Sequence, residues 1–124
     1  MTAMGDNDTG TLVARARSRG AYPHVVDTGS DPDKTSAMDA IAAALSFPSW
    51  FGRNLDALYD SLTDLSWLPE GEHVLIWVAA DVLKRTDPKG YLAIHGVLSD
   101  AQRALAPNGN RPVNRRLVVL LADG

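Results

Sequence analysis

The chain contains no cysteine, which excludes a disulfide framework, a thiolate zinc site and a cysteine nucleophile. It also lacks any apolar run close to the ~20 residues that a membrane-spanning helix needs. Its first ten residues, MTAMGDNDTG, have neither the basic start nor the apolar stretch of a secretory signal. We therefore expect a cytoplasmic protein that has no contact with a membrane.

An excess of positive charge is also missing. Lys and Arg together number 12 against 15 for Asp and Glu, so the formal net charge at pH 7 is -3. Nucleic-acid binding depends on a cationic face that neutralises phosphates and releases their counterions. The charge balance argues against direct nucleic-acid binding and weakly favours a basic partner.

The length and composition are those of one globular domain. The chain has 124 residues, of which 45% are hydrophobic and 22% charged, and a chain of this length can bury one sizeable core. Residues 1–10 show no apolar periodicity and are interpreted as a flexible tail. Residues 11–124 are predicted to form a single domain.

The apolar pattern predicts an α/β fold. Short apolar runs of strand length stand at HVVDT, HVLIWVAA and RRLVVLLADG, and helical patterns precede the first run and fill the spaces between them. Continuous rather than alternating apolar runs are typical of strands covered on both faces. Strands separated by helices favour parallel pairing. We expect a small three-stranded parallel sheet packed with helices, with one helix ahead of the first strand.

One segment, FPSWFGRNLDALYDSL at residues 47–62, carries an unusual acidic pattern. Asn54 is a plausible N-cap for the helix that follows, and leucines at helical spacing predict one buried stripe. Beside that stripe Asp56, Asp60 and Asp64 lie at i, i+4 and i+8. Each neighbouring pair of like charges costs about 0.2–0.5 kcal/mol, and the helix dipole favours an acid at Asp56 alone.

Aromatic rings accompany these acids. Trp50 and Phe51 precede the helix and Tyr59 lies within it. The simplest interpretation of the acids is a solvated helix face. Rings mixed with acids are nevertheless typical of interaction hot spots, in which a ring fills a pocket and a desolvated charge meets its opposite.

The segment FPSWFGRNLDALYDSLTD resembles the signature of the barstar family, the intracellular inhibitors of the bacterial ribonuclease barnase, and the strand order downstream fits as well. The resemblance spans about residues 22–122, whereas the N-terminal helix and APNGNRPVN look additional. It implies a barstar-like fold and inhibition of a secreted microbial guanyl-type ribonuclease, with no enzymatic activity, no cofactor and no metal. We expect the free protein to be a monomer.

The resemblance also implies which residues bind the partner. They are Trp50, Phe51, Gly52, Asn54, Asp56, Tyr59, Asp60, Thr63 and Asp64, with Val97 and Asp100 as a second patch on a later helix. Asp60 takes the position of the carboxylate that occupies the phosphate pocket of the enzyme. Tyr59 stands where the family usually has tryptophan, and Trp50 where it usually has tyrosine.

Two departures from the family pattern affect the charge of this surface. Asp64 replaces a glycine at the end of the helix, and Arg53 replaces an acid in the turn before it. Arg53 places a cation beside a surface that is expected to meet cations. It is expected to lower affinity for a strongly basic nuclease, or to pair with an acid of a less basic target. The exchange of rings at Trp50 and Tyr59 changes which ring fills which pocket, so the target is expected to be a relative of barnase rather than barnase itself.

Two other classes of function compete with inhibition. A metal enzyme would need His24, His73 or His95 as ligands, but none shows paired ligand spacing, and the serines lack a nucleophile motif. The second class is an adaptor or immunity module that uses the same surface against a partner other than a ribonuclease. The sequence separates this alternative poorly from ribonuclease inhibition.

Overall fold

The computed structural model describes residues 8–48, 52–106 and 114–122. In chain order the elements are α1 (Thr9–Ser18), β1 (Tyr22–Asp27), α2 (Lys34–Ala44), α3 (Leu55–Asp64), β2 (Gly71–Val78), α4 (Ala80–Thr86), α5 (Pro88–Ala104) and β3 (Arg115–Ala122). The three strands form one sheet in the order β1-β2-β3, and both pairs are parallel. The predicted α/β fold, with its three-stranded parallel sheet and N-terminal helix, is confirmed.

The central strand β2 is buried on both sides of the sheet. Its residues 73–77 are all buried, as the continuous apolar run predicts. Leu75 and Trp77 belong to one apolar cluster, while Val74 and Ile76 belong to another. Because successive strand residues point to opposite faces, each face of the sheet has its own core.

The larger core lies between the sheet and four helices. Its buried members come from α2, α3, α4, α5 and all three strands, and they are Val26, Ala37, Met38, Ile41, Leu45, Leu58, Leu62, Leu75, Trp77, Ala80, Leu83, Ile94, Leu98, Ala101 and Leu117. The face of α3 that enters this core fixes which of its residues point outward. The acids of α3 are therefore positioned by its leucines.

The opposite face of the sheet is covered by α1. Leu12 and Ala16 of α1 pack with Ala21 and with Val74 and Ile76 of β2. The helix begins at Thr9, so it includes the last two residues of the predicted tail, because the Asp8 carboxylate accepts the backbone N–H of Thr11 at 3.2 Å. Residues 1–7 of the predicted tail lie outside the described residues.

The free edge of β3 is partly occupied by α5. The backbone N–H of Val119 donates to the side-chain carbonyl of Gln102 at 2.6 Å, so this edge donor is satisfied within the chain. In the described part of the chain, no helix is both long enough and apolar enough to cross a membrane.

Candidate functional site

The start of α3 is fixed by a short turn. Asn54 is its N-cap, as the sequence predicts, and the Asn54 carbonyl Oδ1 accepts the backbone N–H of Ala57 at 2.8 Å. The side-chain amide of Asn54 also donates to the carbonyl of Gly52 at 3.4 Å. Between them Arg53 has φ +55°, in the left-handed region. Together these contacts define where the exposed face of α3 begins.

The end of α3 is also defined by backbone geometry. Leu65 has φ +52° and its N–H donates to the carbonyl of Ser61 at 3.1 Å. Of the predicted leucine stripe, Leu58, Leu62 and Leu65 are fully buried, and Leu55 is half-buried against the same core. The half of α3 opposite these leucines therefore faces solvent.

Asp56, Asp60 and Asp64, which we call the acidic column, are all exposed. No ion pair within residues 8–48, 52–106 and 114–122 involves any of the three. The Asp64 carboxylate accepts one neutral hydrogen bond, from the Ser66 hydroxyl at 3.1 Å. The column is therefore neither turned inward nor neutralised by the described arginines and lysines of the chain.

The other predicted contact residues of this segment differ in their exposure and in their hydrogen bonds. Tyr59 is 37% exposed beside the column. The Thr63 hydroxyl donates to the backbone carbonyls of Tyr59 at 2.9 Å and Asp60 at 3.2 Å, so its polar atom is engaged by its own helix. Trp50 and Phe51 lie outside the described residues.

Arg53 is paired with an acid from another helix. Its Nε donates to Oδ1 of Asp39 and its Nη2 to Oδ2 of Asp39, both at 2.8 Å. These hydrogen bonds, followed by the charge of Asp39, raise the pKa of the Arg53 guanidinium. The sequence carried no signal for Asp39, because only the folded turn brings α2 beside Arg53.

The predicted second patch offers less free charge. It lies on α5, which packs against α3. Val97 is half-buried and packs against the larger core. Asp100 is exposed but forms an ion pair with Arg103 one turn later on the same helix. The acidic character of the site is therefore concentrated on α3.

An open groove borders the beginning of the acidic column. It runs between the first turns of α2 and α3 and is lined by Lys34, Thr35, Met38, Arg53, Asn54, Leu55 and Asp56. Two cationic side chains and one carboxylate thus share the same concave surface. Lys34 had no sequence signal that linked it to the acidic segment.

Of the three histidines considered as metal ligands, His24 of β1 and His73 of β2 form a pair, whereas the His95 ring stacks on Tyr91. His24 Nε2 and His73 Nδ1 are 2.9 Å apart, and the remaining ring nitrogens contact the carbonyls of Ala44 at 3.3 Å and Pro69 at 2.8 Å. Burial, and then the nearby His73, lower the pKa of His24. No group of three or more potential ligands in the described residues could hold a metal ion. All four ring nitrogens have contacts within the chain, which is typical of a structural pair.

A known protein family matches the part of the chain that contains the acidic column. The family model described as Barstar (barnase inhibitor) matches residues 22–119, whereas a search of curated proteins gives no match. Among solved structures, the chain is similar to the ORC1 protein of Aeropyrum pernix in complex with DNA. The TM-score is 0.52 and the identity 22%, and the likeness covers 91% of this chain and 27% of that one. At this identity the likeness shows the fold alone.

The family match covers most of the chain and places the acidic column within a known type of domain. It starts at β1, includes all of α2 to α5 and ends within β3, so that α1 lies outside it. The matched range contains every predicted contact residue. The chain belongs to the barstar family of barnase inhibitors.

Proposed function

We propose that this protein inhibits a secreted microbial guanyl-type ribonuclease by inserting the exposed face of α3 into the active site of the enzyme and blocking access of RNA. The observation that carries the proposal is the acidic column, whose three carboxylates are exposed and have no ion pair among the described residues. A cleft that binds RNA phosphates would supply the missing counter-charges.

The spacing of the column supports a cationic target. Residues four positions apart on an α-helix are separated by about 6 Å along its axis. In the free protein each neighbouring pair of these carboxylates repels at a cost of about 0.2–0.5 kcal/mol. Contact with a positively charged cleft would remove this repulsion and add attraction. The arrangement therefore favours the bound state over the free state.

The surroundings of the column would complete the interface. We propose that the Tyr59 ring and the turn at Gly52 and Asn54 pack beside Asp56 and Asp60. Trp50, Phe51, Thr63, Asp64, Val97 and Asp100 remain predicted contacts from the family resemblance. An interface of ordinary size would bury about 1,600 Å² in total. The mechanism is occlusion of the enzyme, with no chemistry performed by this chain, and the cytoplasmic location stays a prediction.

The test is a titration of a panel of secreted guanyl-type ribonucleases, with RNA cleavage as the readout. We expect stoichiometric loss of activity for at least one enzyme. Replacing Asp60 with Asn should leave buried cations of the enzyme unpaired, a loss of typically 2–5 kcal/mol, or roughly 30-fold to several thousand-fold in affinity.

A matched control separates a specific contact from a change in net charge. Asp81 is an exposed aspartate of α4 that pairs with Arg85 of the same helix. Asp81→Asn changes the net charge equally and should alter affinity by less than about 3-fold. Equal losses for both variants would contradict the assigned role of Asp60. Full activity of every enzyme in the panel would refute the proposed function and favour an adaptor or immunity role.

A further inference from the structure

Arg53 is the cation nearest in sequence to the acidic column, and it is exposed. It precedes the N-cap of α3 by one residue and lines the same groove as Asp56. A guanidinium in this groove has a carboxylate of the column as an available partner. If Arg53 paired with Asp56, one end of the column would lose its negative charge.

The structure shows a different partner for this cation. Asp39 of α2 holds Arg53 through two parallel hydrogen bonds, from Nε and from Nη2, both 2.8 Å long. Two-pronged contacts of this kind fix the orientation of the guanidinium plane as well as its position. The two side chains are 57% and 48% exposed, so the pair is weak enough to exchange partners when one member changes.

We propose that Asp39 masks the charge of Arg53 and thereby keeps the acidic column available to a cationic partner. Asp39 is a positioning residue: it acts on the column through Arg53 and need not touch the enzyme. The masking itself is a property of the free protein, whereas its effect on inhibition rests on the proposed function. The Asp39–Arg53 pair would thus allow a basic enzyme to be bound by a surface that carries an arginine at its edge.

The first test examines the free protein and needs no enzyme. NMR of the Arg53 side-chain N–H groups should show contacts with Asp39 in the wild type. In the Asp39→Asn variant these contacts should move to the Asp56 side chain, whereas Asp39→Glu should retain the original pairing. An Arg53 side chain that stays away from Asp56 in Asp39→Asn would overturn the masking.

The second test measures affinity for the enzyme of the panel that the wild type inhibits most strongly. Asp39→Asn should weaken binding about five-fold when Arg53 is present, but less than about two-fold in an Arg53→Gln background. This comparison separates masking from the simple loss of a negative charge, because the charge change is the same in both backgrounds. Asp39→Glu should stay within about 3-fold of the wild type.

The outcomes distinguish the two proposals. Equal losses from Asp39→Asn in both backgrounds would show that Asp39 acts by its own charge, and the masking would be wrong. If the wild type inhibits no ribonuclease, the proposed function fails, while the NMR experiment still decides the masking. Thermal unfolding of each variant checks that the exposed substitutions leave the fold intact.

Discussion

The contribution of α1 to stability can be measured by replacing Leu12 with Ala. Leu12 is 7% exposed and lies in the smaller core, on the face of the sheet opposite α3. The substitution removes three carbon atoms, and at roughly 0.8 kcal/mol for each buried CH₂ the expected loss is about 2.4 kcal/mol. This is near the lower end of the usual range for Leu→Ala, as expected where α1 lies at the periphery and can settle toward the sheet.

The assay is urea unfolding followed by far-UV circular dichroism. With a denaturant slope of about 1–3 kcal/mol/M, the midpoint should fall by roughly 0.8–2.4 M. Leu92 of α5 is 67% exposed, so Leu92→Ala serves as the control and should change stability by about 0.5 kcal/mol or less. A Leu12→Ala variant as stable as this control would refute the conclusion that α1 belongs to the cooperative core. Because α1 and α3 cover opposite faces, ribonuclease inhibition should persist at temperatures where the variant is folded.

Three further predictions concern single side chains. Asn54→Ala should cost about 1 kcal/mol in urea unfolding, because it removes the acceptor for the N–H of Ala57; an unchanged midpoint would contradict the cap. The Ser61 hydroxyl is buried without a hydrogen-bond partner among the residues that the structure describes, so Ser61→Ala should raise stability by about 1 kcal/mol; a loss would show that the hydroxyl is satisfied. Because the pKa of His24 is lowered in the folded state, the unfolded chain binds more protons at acidic pH. The contribution of His24 to the free energy of unfolding should therefore be fully present above about pH 6.5 and should decrease as the pH falls. Comparing unfolding at neutral and mildly acidic pH should show a smaller fall for His24→Gln, and an identical fall would contradict this assignment.

Much of α3 could be predicted from the sequence because its information is local. The leucine spacing predicts the buried face, Asn54 predicts the start, and the acids then follow on the exposed side. The parallel sheet was also predictable, because three apolar runs separated by helical segments leave few arrangements. These features depend on neighbours within one or two turns or one strand.

The contacts that the sequence did not predict all join distant parts of the chain. Asp39 and Arg53 meet because the turn before α3 brings it beside α2. His24 and His73 meet because the parallel register of β1 and β2 places Tyr22 opposite His73, so that His24 lies two residues further along and on the same face of the sheet. Neither pair has a spacing that a sequence pattern can reveal, since each depends on tertiary packing.

The acidic column also determines how the protein should respond to ionic strength. Its neighbouring carboxylates are about 6 Å apart along the helix axis, within the Debye length of about 8 Å at physiological salt. Added salt should screen their mutual repulsion and make the isolated chain harder to unfold. The same salt should slow association with a cationic enzyme. Because of this one row of carboxylates, added salt should raise the stability of the free inhibitor and lower the rate at which it forms its complex.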